Sequence, residues 1–409
     1  MTDAVLTLNA GSSSLKFSLF ERAVGGLHLA LEGQIEGIGS APHMIAKDSD
    51  GRVLAEQRWP DGGDLGHETF LTTLFAFVDD HMGSDRMLAI GHRIVHGGSA
   101  FSQPVLIDDG VLAQLDALCP LAPLHQPHNL AAVRAAQAVR PRLPQVACFD
   151  TAFHRDHAEV VTRFALPREW HDRGVRRYGF HGLSYEFVSS RLRDLDTLLA
   201  AGRVIVAHLG NGASLCAIHD GASIDTTMGF TALDGLMMGT RCGALDPGVL
   251  LYLQQQMGMT PEAVQTLLYE QSGLLGVSGL SGDMRVLLGS PDPAAKDAVE
   301  LFTFRIAREA GAMMAAMGGA DGFVFTAGIG ENAPAIRAAV AGRLAWTGIV
   351  LDPDANARGA GLISAPHSPL KVWVIPTSEE AMIARHTADV AAGPAQARSN
   401  LSADSGPEG

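Results

Sequence analysis

At 409 residues, 47% of them hydrophobic, the chain is too long for one small domain and is expected to fold as two. Its formal net charge of −14 excludes nucleic acid and an anionic membrane as main partners, so an anionic substrate would have to be held by locally gathered cations. Four cysteines without a CxxC pair, no apolar run of membrane-spanning length and no basic N-terminal segment exclude a disulfide framework, a membrane span and a signal peptide; reduced cytoplasmic thiols are expected instead.

Along the chain, Val5–Leu8 and Leu15–Phe20 read as strands joined by a small polar turn, in "VLTLNAGSSSLKFSLF", followed by strands at Leu27–Ile35 and Arg52–Arg58. Apolar residues alternate in these runs with the period of a half-buried strand. Helical spacing follows from Phe70 to Val78, then a buried strand in "MLAIGHRIVHGG". "NLAAVRAAQAVRPRLPQVACFD" reads as a helix stopped by Pro141 and a strand ending at Asp150. From Ser184 to Leu195 a helix places Tyr185, Val188, Leu192 and Leu195 on one face. New strands begin at Arg203, and strands alternate with helices to about Ala392, after which the polar, aperiodic tail is expected to be disordered. The class is α/β with mixed sheets. "LNAGSSSLKFSLF" and "LGNGASLCAIHDG" share one plan, with Ser14-Leu15 matching Ser214-Leu215. That is either a duplicated domain with a cleft between the copies or a chance recurrence of glycine-rich hairpins.

Several stretches can carry chemistry. In the first hairpin, backbone N–H groups, serine hydroxyls and Lys16 could gather around an anionic oxygen, and Asn9 offers a carbonyl oxygen to a hard cation. The same residues also suit a polar surface hairpin with an incidental lysine. "FVFTAGIGENAPAIRAAV" reads as a strand, a glycine loop and a helix with Pro334 in its first turn. "GIGENA" also fits a relaxed dinucleotide pattern, which keeps a dehydrogenase among the alternatives. Arg93, Arg241 and Arg285 sit beside glycines or turns, where a guanidinium fork can meet a carboxylate or phosphate. His181 and His208 are either packed rings or active-site groups. No HExxH occurs, so the paired histidines His92/His96 and His125/His128 are a poor case for zinc. Asp150, Glu379 and Glu380 follow strand ends, where α/β folds meet ligands and Mg²⁺ finds carboxylates.

Taken together, "NAGSSSLK", "GHRIVHGG", "FDTAFH", "RYGFHG", "HLGNGAS", "MMGTR", "LDPG", "SGDMR", "TAGIGEN" and "PTSEE" resemble the acetate kinase family, from about Val5 to Arg385. The family belongs with sugar kinases, Hsp70 and actin. The resemblance implies two duplicated ribonuclease-H-like α/β domains around a nucleotide cleft. These would be residues 1–150 with about 380–391, and residues 151–379, before a disordered tail at 392–409. It implies reversible phosphoryl transfer from ATP to acetate, giving acetyl phosphate and ADP, in a cytoplasmic homodimer with neither nucleic acid nor membrane as partner.

By position, the resemblance assigns Asn9 and Glu379 to Mg²⁺ (or Mn²⁺), and Lys16, with Ser12 and Ser14, to ATP phosphates. Arg93 would hold the substrate carboxylate or the moving phosphoryl group. Asp150 would be the acid or base, and His181 and Arg241 would stabilise the transition state. His208, Leu209, Gly210, Asn211 and Gly212, then Asp283, Met284 and Arg285, then Gly328, Ile329, Gly330, Glu331 and Asn332 would line the ATP site, the last group near adenosine. Since acetate is already ionised near pH 7 and needs no base, Asp150 is expected to orient Mg²⁺ waters or Arg241. Val95, Leu124, Phe180 and position 232 match the family's pocket for the acetate methyl. Ala232 replaces the usual proline, in "TALDGL" for "TPLEGL", which should loosen that wall and improve tolerance of propionate. Other departures are "LHQPHN", Tyr185 in place of histidine, and Ala244 in place of aspartate. A propionate or other short-chain carboxylate kinase is the alternative enzyme, and a non-catalytic nucleotide-gated binding protein the alternative class.

Overall fold

Both halves of the chain begin with a hairpin and extend it into a sheet by parallel pairing. A computed structural model describes residues 2–23, 25–83, 86–359 and 361–393. The chain divides into two units, Met1–Ala152 with Ser378–Gly409, and Phe153–Thr377.

In the first unit, β1 (Asp3–Ala10) turns back into β2 (Ser14–Ala23), followed by β3 (Gly26–Glu36), β4 (His43–Asp48), β5 (Val53–Arg58), β6 (Arg86–Ile94), β7 (Val105–Leu106) and β8 (Gln145–Phe149). The sheet order is β5-β4-β3-β2-β1-β6-β8-β7. β1 to β5 form an antiparallel meander, and β6 and β8 add in parallel beside β1. Alternate residues of β1 face opposite sides. Leu6 and Leu8 pack with Phe17, Leu19, Phe70 and Phe75 on one face, where the helices His67–Met82 and Gln126–Val139 lie. Val5 and Phe20 pack with Ala384 and Ala388 of the helix Glu379–Ala392 on the other.

In the second unit, β9 (Arg203–Leu209), β10 (Ala213–His219), β11 (Ala222–Thr226), β12 (Gly322–Thr326), β13 (Gly361–Leu362) and β14 (Lys371–Val374) take the order β11-β10-β9-β12-β14-β13. This repeats the run β3-β2-β1-β6-β8-β7 strand for strand, with the same parallel and antiparallel senses. The two units are therefore topological duplicates, and the first adds β4 and β5 at its edge.

The structure departs from the sequence expectations in five places. β4 and the helix Asp109–Ala117, six and nine residues long, are too short for their periods to stand out. Leu195 is 44% exposed although Tyr185, Val188 and Leu192 are buried, because the helix Gly182–Leu195 ends there and the chain turns at Asp196. "AGIGEN" is a short helix, Ala327–Asn332, and not an open loop. The helix Glu379–Ala392 includes the first residue assigned to a tail; beyond Gly393 that tail lies outside the described residues.

The C-terminal helix docks on β6 through Gly91. A Cβ there would sit 2.1 Å from Thr387 Oγ1 and 2.6 Å from Ile383 Cγ2. Gly91→Ala is therefore expected to lower stability by about 2 kcal/mol through overpacking, read as a fall in urea midpoint. An unchanged midpoint would show that the helix can shift away without cost.

Candidate functional site

Each unit carries its own set of polar groups at the ends of its parallel strands. In the first, Asn9 lies near the end of β1 and pairs directly with Lys16 of β2. The turn between them is closed by Gly11 N–H donating to Ser14 O at 2.8 Å, with Ser12 exposed. Arg93 lies near the end of β6, and Asp150 follows β8, donating its N–H to Ile94 O at 3.1 Å. Parallel pairing of these strands brings the ends together.

There Arg93 forks onto Asp150, with Nε donating to Oδ1 at 3.1 Å and Nη2 to Oδ2 at 2.6 Å. Its Nη1 donates to Asn9 Oδ1 at 3.3 Å, and its Nε lies 3.6 Å from Glu379 Oε2. Glu379 opens the C-terminal helix, whose N-cap Ser378 accepts from Ala381 N–H at 3.2 Å. Behind the set, Asn129 ties two strand ends, donating to Ala10 O at 2.6 Å and accepting from Val95 N–H at 3.0 Å.

The charge balance of this cluster is unusual. Burial pushes the Glu379 carboxyl up to about 7; Asp150 and Glu380 push the same way, and Arg93 and Lys16 oppose them. Burial also works against the Arg93 cation, but Asp150 and Glu379 outweigh it and hold the guanidinium above its usual range. The donors are hard oxygens with negative charge in excess, which fits Mg²⁺ or Mn²⁺ with retained waters and not a soft metal. Asn9 and Glu379 are the residues that could hold it.

In the second unit, His181 stands in the left-handed region at φ 59°, capping the helix Gly182–Leu195. Its ring stacks on that of His208 with centroids 4.1 Å apart. Each Nδ1 meets a serine hydroxyl at 2.8 Å, Ser214 for His181 and Ser184 for His208. Ser214 Oγ lies 2.5 Å from the Tyr185 hydroxyl, and Ser184 Oγ lies 2.9 Å from Thr377 Oγ1. Arg241 donates to Ala232 O at 2.6 Å. A Cβ on Gly212 would lie 2.7 Å from Arg241 Nη2 and 3.2 Å from His181 Nε2. The β9–β10 turn thus passes against both side chains, and a Cβ there would require them to give way.

Three further segments border that turn. Gly239 N–H donates to Asn211 O at 3.0 Å, and Gly282, just before Asp283, packs on Gly239. Asp283 caps the next helix and is forked by Arg285, an exposed side chain; Met284 is buried. The helix Ala327–Asn332 follows β12 through Ala327 at φ 63°. Its C-terminal carbonyls are held by the buried Arg337, which donates to Gly330 O and Glu331 O at 2.8 Å each. Glu331 in turn accepts from Thr377 N–H at 3.1 Å.

The structure thus gathers Asn9, Arg93, Asp150 and Glu379 in one cluster, with Lys16 beside Asn9. It gathers His181, His208, Gly212 and Arg241 in another. Asp150 engages Arg93, where the sequence suggested metal waters or Arg241. Of the expected methyl-pocket residues, Val95 is buried and Leu124 half-buried in the first unit, and Phe180 is buried and Ala232 half-buried in the second. Sequence inspection missed Asn129, Ser184, Ser214 and Arg337 as site-building residues. Ser184 and Tyr185 did carry a signal, since they stand three and four positions after His181, one helical turn away.

Residues 4–385 match the Acetokinase family. An acetate kinase of Rhodopseudomonas palustris is 54% identical over 391 residues, covering 94% of this chain and 98% of the relative. The solved propionate kinase of Francisella tularensis superposes with a TM-score of 0.89 at 37% identity, covering 95% of this chain and all of that one (100%). The acetate kinase of Porphyromonas gingivalis gives 0.84 at 39% identity, covering 95% and 99%.

The Glu379 carboxyl yields a pH prediction. Its folded pKa, about 7, lies above the ordinary 4.5. The fold therefore favours the protonated form, a contribution complete below the ordinary value and lost as pH rises through about 7. Metal-free protein is expected to lose roughly 3 kcal/mol between about pH 5 and pH 8. The loss should be much smaller in Glu379→Gln, measured by urea unfolding at each pH; equal losses in both proteins would assign the dependence to other groups.

Proposed function

The chain belongs to the acetokinase family, and from that footing we propose that it is an acetate kinase: the γ-phosphoryl group of ATP moves reversibly to a carboxylate oxygen of acetate, giving acetyl phosphate and ADP. The observation that carries this proposal is the setting of Gly212, where a guanidinium and an imidazole nitrogen close on a glycine turn. Such a cradle of donors suits an anionic oxygen whose charge spreads during transfer.

Acetate is ionised near neutral pH, so one of its oxygens attacks the γ-phosphorus without help from a base, and the bond to the ADP oxygen breaks. Arg93 holds the acetate carboxylate, oriented by its fork on Asp150 and by Asn9; Asp150 then acts by positioning, not by proton transfer. Arg241 and His181 take up charge on the phosphoryl oxygens. Lys16, Ser12 and Ser14 serve the ATP phosphates. His208–Gly212, Asp283–Arg285 and Gly328–Asn332 line the nucleotide, the last nearest adenosine. Mg²⁺ or Mn²⁺ on Asn9 and Glu379 would neutralise phosphate charge. That no disulfide joins Cys119, Cys148, Cys216 and Cys242, together with the absence of a membrane-spanning helix among the described residues, suits a cytoplasmic enzyme.

A second reading, a propionate or other short-chain carboxylate kinase, is favoured by Ala232, which lacks the proline ring usual there, and by the likeness to the propionate kinase above. A homodimer is supported by the helix Pro247–Gln255, none of whose residues is buried, with Val249, Leu251 and Tyr252 exposed beside Leu245 and Met257. Large apolar side chains exposed along one short segment suit an interface.

One assay tests the chemistry. With ATP, Mg²⁺ and acetate, hydroxylamine should trap acetyl phosphate as its hydroxamate, and Arg241→Ala should lower kcat by about 10³-fold, the scale of other phosphoryl-transfer arginines. ATP left intact with every small acid would end the proposal. In the same assay, Ala232→Pro should raise discrimination against propionate by up to about tenfold; unchanged discrimination would remove position 232 from the pocket wall. For the dimer, sedimentation should show twice the chain mass, and Tyr252→Glu should yield monomer. A wild-type monomer would refute that assembly.

A further inference from the structure

The hydroxyl groups behind His181 leave little freedom in where its proton can sit. Tyr185 is fully buried, and its hydroxyl has Ser214 Oγ as its only hydrogen-bond partner among the described residues. Ser214 is equally buried, and its side chain has two such partners, Tyr185 and His181 Nδ1. A buried O–H left without an acceptor costs about 1–3 kcal/mol, so each proton in this short row should find a partner. The phenolic proton can go only to Ser214 Oγ. The Ser214 proton then has only His181 Nδ1, which must present a lone pair. Burial holds the Tyr185 phenol well above the usual tyrosine range, so it keeps that proton.

We infer that Ser214 is a positioning residue that holds His181 as the tautomer carrying its proton on Nε2, with Tyr185 filling the acceptor side of the serine. Nε2 is the nitrogen that lies against Gly212 beside Arg241, 3.2 Å from where a Cβ would stand. Protonated there, His181 donates toward an anionic oxygen at the turn; in the other tautomer the same atom would turn a lone pair toward it. The row also explains the placement of the residues. His181 caps the helix Gly182–Leu195, and the Tyr185 N–H donates to the His181 carbonyl at 3.1 Å, so one helical turn fixes the phenol beneath the imidazole. The hairpin supplies the middle member, since Ser214 pairs across the β9–β10 turn with His208. His208 has a parallel row of its own through Ser184 and Thr377. There the half-buried Thr377 hydroxyl can also reach water, so that row does not dictate a proton position.

The value of this tautomer to catalysis rests on the kinase proposal, but its test does not. Full-length protein labelled with ¹⁵N-histidine is observed by long-range ¹H–¹⁵N correlation, with the His181 signals identified by their loss in His181→Gln. The wild type should show the neutral Nε2–H pattern for His181. In Ser214→Ala, which removes the donor, the Nδ1 resonance should move to that of a lone pair without a hydrogen bond, and kcat should fall about ten- to a hundredfold, with both KM values changed less than about twofold. In Tyr185→Phe the Ser214 proton still has only His181 Nδ1, so the Nε2–H pattern should persist. An Nδ1–H pattern in the wild type or in Tyr185→Phe, or an unchanged Nδ1 resonance in Ser214→Ala, overturns the inference whatever the rate. The expected spectra from a protein without kinase activity would uphold the row and sink the proposed function alone.

Discussion

The fork of Arg93 on Asp150 is the interaction on which the first unit's site depends. It joins the ends of β6 and β8, reaches Asn9 at the end of β1, and approaches Glu379 at the mouth of the C-terminal helix. A guanidinium in such a place must be matched by carboxylate because a lone buried charge is far costlier than a paired one. The match is more than complete. Asp150, Glu379 and Glu380 bring more negative charge than Arg93 and Lys16 offset, and the Glu379 carboxyl responds by resisting ionisation. That surplus makes the cluster receptive to a divalent cation while keeping the arginine oriented.

The second unit solves a different problem with the same hairpin. Where the first places Lys16 opposite Asn9, the second places Ser214 opposite His208. Its charges are cations and dipoles: Arg241, two stacked imidazoles and the N–H groups of a glycine turn. Beside this turn His181 and Ala327 hold left-handed backbone, each at a junction between a loop or strand and a helix. Such conformations cost of order 1–3 kcal/mol and persist only where packing enforces them. Around His181 the enforcement is visible in the Ser214 and Tyr185 hydroxyls and in His154, whose Nε2 donates to the carbonyl of Phe180 at 3.0 Å. Near Ala327, Arg337 anchors the carbonyl end of the short helix that follows, a favourable place for a cation.

Duplication accounts for much of this economy of design. One topology, a three-stranded meander extended by two parallel strands and a short antiparallel edge, presents strand ends that converge on one side of each sheet. Residues at those ends can diverge freely, because the alternating apolar positions that hold the sheet lie elsewhere along the strands. Asn9, Arg93 and Asp150 occupy such ends in the first unit, as His208 and Thr326 do in the second.

The sequence by itself determined the class of fold, the two hairpins, the helix stopped before Pro141 and the family, because alternating apolar runs, prolines and short glycine-bearing motifs are local signals. It also put Asn9, Arg93, Asp150, His181 and Arg241 on the short list, since arginines and carboxylates at glycine turns and strand ends suggest their own chemistry. Only the tertiary structure decided which of them touch. Asp150 belongs to Arg93 because parallel pairing of β6 and β8 sets their ends side by side, a register that neither segment encodes alone. Ser214, Tyr185 and Arg337 became visible for the same reason. A serine, a tyrosine and an arginine look like ordinary hairpin and helix residues until burial removes water as their partner and obliges each polar atom to find one across the fold.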